Sequence, residues 1–385
     1  MKICRIVDKF PTGKEIIGDL GPNYYHLSKL TAAKGFDMHV ICGREKHQKS
    51  FEEIDGINVH RVTPIKNLRS ILYGKFAQKS LEKVIELNPD IVHGHNIFHI
   101  GCIRNRKKIN TKIITHLHYL LDMDKYTDKL PFRYSPKTVI YNELISTFLF
   151  NINKYVVKNS DYIIAVSRAG ANSIKKYYPD KNIKVIYNGI DPSVFHHVDS
   201  DIKGELDAKY LLLFVGRPVP WKGVQYLLEA TKKLNKKFEG LKVLLLGVDR
   251  PDSQVYLRWL KDLSEKHGLD NVIFSEQVPY VELPKYYSAA DCFVLPSYPD
   301  PSPKVIYEAL ACGTPIVATD GGGIPELIRG TRNLLVRPKD PNDLAEKLEF
   351  VLNENTSIRA RDTKIFTWQN SVDEIVKLYN EIYSQ

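Results

Sequence analysis

The chain has 385 residues, 43% of them hydrophobic and 26% charged, with 55 Lys and Arg against 45 Asp and Glu for a formal net charge of +10. That length accommodates two domains of ordinary size, and that composition excludes wholesale disorder. No stretch of about 18 uninterrupted apolar residues occurs, which argues against a transmembrane span; the longest candidate, 138–150, is interrupted by Asn142 and Glu143.

The N-terminus opens on an apolar run at 3–7 and lacks the apolar core and small-residue cleavage site of a signal peptide, so a cytoplasmic protein is expected. Short β-branched runs then follow at 38–42, 91–95, 112–118, 162–167 and 184–187, and a second series at 211–216, 242–247, 272–275, 292–297, 315–319 and 334–337. Helical patterns separate them almost throughout. Strand and helix in alternation predict an α/β fold with parallel sheets, twice over.

Between the two series, 188–201 is rich in turn formers and polar residues and suits a linker, which places the boundary within 190–207. The expected organisation is a Rossmann-like domain over 1–196, a second over 197–365 and a helix over 366–385. In that last segment Val372, Ile375, Val376, Leu378, Tyr379 and Ile382 recur at helical spacing. Open parallel sheets bind ligands beyond the carboxyl ends of their strands, so two facing sheets predict a site in the cleft between them. The five cysteines lack C-x-x-C spacing and four sit in or beside apolar runs, which reads as buried free thiols.

In chain order, the first loop of interest is Asp19-Leu20-Gly21-Pro22-Asn23, between the first strand and a helix; Pro22 removes an N–H there. His93 with His95, and His116 with His118, each put two imidazoles on one face of a strand, a spacing that could hold a metal. No carboxylates at ligand spacing accompany them, and no metal is assigned. Strand 211–216 ends in Gly216-Arg217, followed by Lys222-Gly223 at a helix start. Gly216 permits a tight turn, Arg217 offers a planar fork to phosphate oxygens and Lys222 adds a point charge.

The most informative stretch begins where strand 292–297 enters a Pro-broken loop and then a helix. Ser302, Pro303, Lys304 and Val305 form the turn whose backbone N–H groups, with the helix dipole, suit a diphosphate. Asp300 in the loop and Glu308 about two turns into the helix can hold hydroxyls on either side of that diphosphate, which describes a nucleotide sugar.

This stretch resembles the paired-acid signature of the family 4 glycosyltransferases, retaining enzymes of the GT-B fold, in which two acids separated by seven residues precede an Ala-rich helix and Gly-x-Pro. Asp300 stands where the family more often has Glu, and Glu308 matches. Gly216-Arg217-x4-Lys222-Gly223 resembles the family's diphosphate clamp, and Asp320-Gly-Gly-Gly-Ile-Pro-Glu326 its Gly-Gly-x-Pro-Glu turn.

The resemblance implies two Rossmann-like domains facing across a cleft, with the terminal helix crossing back to the first. It implies a nucleotide-sugar donor, UDP- or GDP-linked, and a saccharide or lipid-linked acceptor. Arg217 and Lys222 would hold the diphosphate, with Gly216 and Val278 on the donor side, Glu308 on the ribose and Asp300 on the donor sugar. His118 would face that sugar, and Gly21 and Asn23 lie where the family contacts sugar and acceptor. Fixed cations in the phosphate role require no metal.

The positive charge favours anionic partners and permits peripheral membrane contact for a lipid acceptor, while no nucleic-acid-binding motif is present. The D-x-D matches at Asp122-Met123-Asp124 and Asp199-Ser200-Asp201 fall in expected loops and carry no assignment. Two other readings remain open: a GT-B-fold nucleotide-sugar epimerase and a non-catalytic nucleotide-sugar-binding protein.

Overall fold

The computed structural model describes residues 1–11, 21–122, 136–249, 254–354 and 366–385, with the backbone alone for 136–146. Asp19, Leu20 and Asp124 lie outside the described residues. The chain divides into two compact units, Met1–Leu121 with Phe148–Gly189 and Phe366–Gln385, and Asp122–Thr147 with Ile190–Ile365.

The elements up to the first division are β1 (Lys2–Ile6), α1 (Gly21–Ala33), β2 (Asp37–Gly43), β3 (Phe51–Ile54), β4 (Ile57–Thr63), α2 (Leu68–Leu72), α3 (Lys75–Leu87), β5 (Ile91–His95), α4 (Ile100–Arg104), β6 (Lys112–Leu117), α5 (Pro136–Asn159), β7 (Tyr162–Ala165), α6 (Arg168–Lys175) and β8 (Ile183–Val185). The second unit continues with α7 (Ile202–Glu205), β9 (Tyr210–Val215), α8 (Val224–Leu234), β10 (Leu241–Leu246), α9 (Gln254–Lys266), β11 (Val272–Ser275), α10 (Leu283–Ala289), β12 (Cys292–Leu295), α11 (Lys304–Ala311), β13 (Ile316–Thr319), α12 (Ile324–Ile328), β14 (Leu334–Val336) and α13 (Pro341–Glu354). The last helix is α14 (Trp368–Tyr383).

In the first unit the sheet order is β3-β4-β2-β1-β5-β6-β7-β8, parallel except for β3 against β4. Central strands of a parallel sheet are covered on both faces and are therefore apolar throughout; Ile3, Cys4, Ile6, Val40, Ile41 and Val92 are fully buried. One face packs on α1 and α14 through Tyr24, Leu27, Trp368, Val372, Ile375, Tyr379 and Ile382. The other packs on α3 and α4 through Phe76, Leu81, Val84 and Cys102.

The terminal helix thus completes the core of the first unit, as the apolar spacing and the family resemblance together imply. Its start is fixed by a reciprocal cap, Thr367 and Asn370 each bonding the other's backbone N–H. Beside that cap, a Cβ on Gly189 would run into the Thr367 backbone, so only glycine lets the two strands of chain pass.

The hairpin of β3 and β4 is an addition to the strands expected from the sequence. Asp55 and Gly56 at its tip both take left-handed φ, 49° and 76°. That is the two-residue turn that Asp-Gly between alternating runs specifies.

The second unit has a six-stranded parallel sheet, β11-β10-β9-β12-β13-β14. Leu211, Leu212, Leu213 and Phe214 of β9 and Cys292, Phe293, Val294 and Leu295 of β12 are fully buried at its centre. The strand order reverses between β9 and β12, and in the first unit between β1 and β5. At such a reversal adjacent connections leave to opposite faces and open a crevice beyond the strand ends. All five cysteines are buried free thiols. No helix among the described residues is long and apolar enough to cross a membrane.

Candidate functional site

The reversal point of the second unit gathers three of the sequence motifs. After β9, Gly216 (φ 149°) bends the chain into a turn of 3-10 helix, Pro220–Lys222, and Gly223 (φ 71°) then starts α8. Gly223 cannot be replaced without conflict, because a Cβ there would run into the Pro296 carbonyl oxygen beyond β12. The Tyr298 N–H donates to the Trp221 carbonyl at 2.8 Å, tying the loop after β12 to the loop after β9. The third loop joins through the Asp300 carbonyl, which accepts from the Gly323 N–H at 2.8 Å. Gly322 (φ 61°) lies so close to Asp300 that a Cβ would meet its backbone.

These backbone ties bring the two charged candidates into contact. Lys222 Nζ lies 2.6 Å from Asp300 Oδ2, with the lysine side chain 18% and the aspartate 9% exposed. Arg217 is half-buried in the same loop, and Ser302 is buried two residues beyond Asp300. Of the turn 302–305, Ser302, Lys304 and Val305 carry N–H groups at the start of α11; Pro303 is its N-cap and has none to offer.

Glu308, in the middle of α11, is buried and accepts from the Tyr287 hydroxyl at 2.8 Å. Burial pushes its carboxyl up, against the opposing effects of the Lys304 charge and the Tyr287 hydrogen bond. Tyr287 is fully buried in α10, a partner that no local pattern around Glu308 indicates. Val278 is half-buried after β11, where the Gly247 N–H bonds the Ser275 and Glu276 carbonyls at 3.1 and 3.2 Å. Asp320 is exposed and paired with Arg329.

The first unit places its candidates around its own strand-order reversal. Gly21 and Pro22 open α1, so Pro22 occupies the first turn, where a missing N–H costs the helix nothing. Asn23 is fully buried, its amide donating to Asn188 Oδ1 at 3.1 Å, which ties α1 to the chain after β8. His118, just beyond β6, is half-buried, and its backbone N–H donates to Asn96 Oδ1 at 3.0 Å.

The four histidines of β5 and β6 form one cluster. His95 stands directly opposite His116 in the sheet register. His95 Nδ1 is 2.8 Å from His118 Nε2, and His93 Nε2 is 3.3 Å from His116 Nδ1. His93, His95 and His116 offer one nitrogen each within 4.8 Å of one another, a set that could receive a metal.

Two features weigh against that occupant. The His93 and His95 rings stack within 2° of parallel, so their in-plane lone pairs run side by side instead of converging. The buried Arg5 charge lies close enough to lower the pKa of all three, after burial itself. Sequence reading identified each histidine pair but not that adjacent strands merge them.

Comparison with known proteins agrees with this architecture. The family model of glycosyl transferases group 1 matches residues 198–380, and that of Glycosyltransferase Family 4 matches residues 24–194. An uncharacterised glycosyltransferase of Methanocaldococcus jannaschii is 27% identical, with 98% of each chain covered. A D-inositol 3-phosphate glycosyltransferase of Corynebacterium kroppenstedtii is 30% identical over 59% of this chain and 54% of its own. Among solved structures, sucrose-phosphate synthase from Thermosynechococcus elongatus has a TM-score of 0.82 at 22% identity, covering 100% of this chain and 99% of its own. Anabaena HepE, solved with UDP and glucose, has a TM-score of 0.72 at 21% identity over 99% of both chains. At those identities the structural likeness bears on the fold, which is GT-B, while the two family models divide nearly the whole chain between them. The chain belongs to the family 4 glycosyltransferases.

Proposed function

We propose that this glycosyltransferase moves a hexosyl group from a UDP- or GDP-linked sugar to a saccharide or lipid-linked acceptor with retention of configuration. The observation that carries the reading is the contact of Lys222 with Asp300 where three glycine-shaped loops meet at the reversal of the second sheet. An ammonium and a carboxylate held together in a half-buried crevice are complementary to opposite ends of a nucleotide sugar. Diphosphate oxygens replace Asp300 as the partner of Lys222, and the released carboxylate accepts hydrogen bonds from sugar hydroxyls.

Arg217 adds a bidentate fork to the diphosphate. The Ser302, Lys304 and Val305 N–H groups supply backbone donors, and Glu308 accepts from the ribose. Gly216 and Val278 line the nucleotide side. As the bond from the sugar's anomeric carbon to the diphosphate breaks, negative charge grows on the leaving oxygen. Cations already fixed in place stabilise that charge without reorganisation, so the step requires no metal.

The acceptor hydroxyl oxygen bonds to the anomeric carbon on the face the diphosphate leaves, and its proton passes to the departing phosphate oxygen. His118 faces the donor sugar, and Gly21 and Asn23 belong to the acceptor side. Support for the donor class comes from Anabaena HepE, which is described in complex with UDP-glucose. The net charge of +10 suits peripheral contact with anionic headgroups on the cytoplasmic face of a membrane.

The test is release of nucleoside diphosphate from UDP-, GDP- and ADP-sugars in EDTA, with and without a mixture of saccharide and lipid acceptors. Acceptor-dependent release from one donor is expected. Conversion of the donor without acceptor would instead indicate an epimerase, and tight binding without turnover a non-catalytic binding protein.

A further inference from the structure

We propose that one face of the first unit, built from α2, Tyr73, the start of α3 and the end of α4, is the surface by which this protein docks on an anionic membrane. The inference rests on the peripheral membrane contact and lipid-linked acceptor proposed above.

The charge of the chain is unevenly spread. Residues 57–81 and 91–121 together hold ten of the 55 Lys and Arg and none of the 45 Asp and Glu. The remainder of the chain is therefore formally neutral, and the net charge of +10 belongs to these two segments. Three of the ten cations have carboxylate partners: Arg61 pairs with Glu52, Arg106 with Asp161 and Lys79 with Glu82. Lys66, Arg69 and Lys75 are exposed and make no ion pair among the described residues, and the same holds for Lys107 and Lys108.

Folding brings the two segments together. Ile71 and Leu72 of α2 share a buried cluster with Ile97 and Ile100, at and before the start of α4. Beside that cluster the Arg104 guanidinium lies over the Tyr73 ring, 3.8 Å from its centroid, and donates to the Leu72 carbonyl. Tyr73 is 67% exposed, so an aromatic ring stands in solvent with a cation held against it. Helix α5 joins the same cluster through Ile152 and Val156 and adds two exposed aromatics, Phe148 and Tyr155. Exposed rings among unpaired cations suit the headgroup layer of a membrane, where Tyr is enriched and anionic lipids attract Lys and Arg.

The position of the face favours a membrane over a nucleic acid. Helix α2 starts five residues after β4 and α4 five residues after β5, so both leave the carboxyl edge of the sheet, as α1 with Asn23 does after β1. A bilayer held there presents a lipid-linked acceptor to the edge that carries the proposed acceptor-side residues. No nucleic-acid-binding motif accompanies the cations. The other dense basic run, Lys232 to Lys237, lies in the second unit and is interspersed with acid: Lys237 pairs with Glu349, and Glu229 and Glu239 flank the run. It supplies a control of equal charge.

The test is co-sedimentation of the full-length protein with vesicles of phosphatidylcholine alone and of phosphatidylcholine with about one-third phosphatidylglycerol. Three proteins are compared: wild type, the face variant Lys66→Gln/Arg69→Gln/Lys75→Gln and the control variant Lys232→Gln/Lys233→Gln/Lys236→Gln. All six positions are exposed, and melting curves establish that both variants fold. Wild type should bind the anionic vesicles and not the neutral ones, with affinity falling steeply as salt is raised. A cation beside an anionic surface contributes about fivefold to binding, so the face variant should bind about 100-fold more weakly and the control within about fivefold of wild type.

Equal losses in the two variants would mean that net charge alone is read, which overturns the assignment of this face and leaves peripheral contact standing. A wild type indifferent to anionic vesicles overturns both. A wild type that instead binds a labelled single-stranded RNA, through the same three residues, would assign the face to nucleic acid. Vesicle binding through this face in an enzyme that glycosylates only soluble saccharides would sustain the face and remove the lipid acceptor.

Discussion

The two units present their candidate groups by opposite means. In the second, charged side chains sit on loops whose path is forced by glycines and prolines within a few residues of them: Gly223 against Pro296, Gly322 against Asp300, Pro303 at the start of α11. In the first, His118 meets His95 of β5, while His93 meets His116 of β6 and Tyr379 of α14, which Arg5 of β1 also reaches, side chains brought together only by the sheet and the terminal helix. A loop-built phosphate corner writes a local pattern. A strand-built side-chain network leaves only scattered polar residues in apolar runs.

The largest effect that could break this contrast is at the clamp. Arg217→Ala and Lys222→Ala should each lower turnover about 10²–10³-fold, as removal of a fixed charge-stabilising donor does, with thermal unfolding little changed in Arg217→Ala and lowered in Lys222→Ala, which leaves the Asp300 carboxylate unpaired. Steady-state kinetics beside a melting curve decides it, and undiminished turnover removes the clamp assignment.

Asp300→Asn should separate the two halves of the crevice. Sugar transfer should fall about 10²-fold, while affinity for the free nucleoside diphosphate holds or rises because Lys222 loses its internal partner. Calorimetric titration with the diphosphate alone reads this, and parallel loss of both would mean the pair is needed to shape the loop.

Gly223→Ala tests the loop itself. The left-handed φ and the Pro296 carbonyl in the path of a Cβ should cost about 1–3 kcal/mol, seen as a melting temperature several degrees lower. An unshifted melt would show that the loop relaxes freely.

The smallest effects concern pH, and the two units should respond with opposite sign. In the first unit burial lowers His93, His95 and His116 well below the ordinary value, His99 to about 3 and, with its burial the largest cause, His60 to about 4. These imidazoles bind protons in the unfolded chain but not in the folded one. Their contribution is fully present above the unfolded pKa of about 6.5 and is lost as pH falls below it towards the folded values.

Glu308 behaves oppositely, because burial raises its carboxyl. Its contribution is present below the unfolded carboxyl pKa of about 4.3 and is lost as pH rises through the folded one. Melting temperature against pH should therefore fall from neutral pH to pH 5. Glu308→Gln should melt at or above the wild-type temperature at pH 7 while binding donor more weakly. A wild-type curve flat between pH 7 and pH 5 would contradict the buried, neutral histidines.

Sequence legibility follows the same division. The two parallel sheets, the switch-point loops, the buried thiols and the core-facing terminal helix could be read because periodicity and turn residues are local signals. The β3–β4 hairpin is also written there, in Asp55-Gly56 between alternating runs. Tyr287 behind Glu308, Asn188 behind Asn23 and the union of two histidine pairs were not legible. Each partner lies on another element, and nothing around either residue specifies the pairing. The Lys222–Asp300 contact falls between these cases: each residue sits in a legible local motif, while their contact joins loops 78 residues apart.

The most direct test of the central claim, that fixed cations of the second unit hold a nucleotide diphosphate, is calorimetric titration of UDP, GDP and ADP in EDTA into wild type and Lys222→Ala. UDP or GDP should bind the wild type without metal and bind the variant at least about tenfold more weakly, a loss of about 1.4 kcal/mol. Equal affinity in the two proteins, or binding that returns only with a divalent cation, would contradict it.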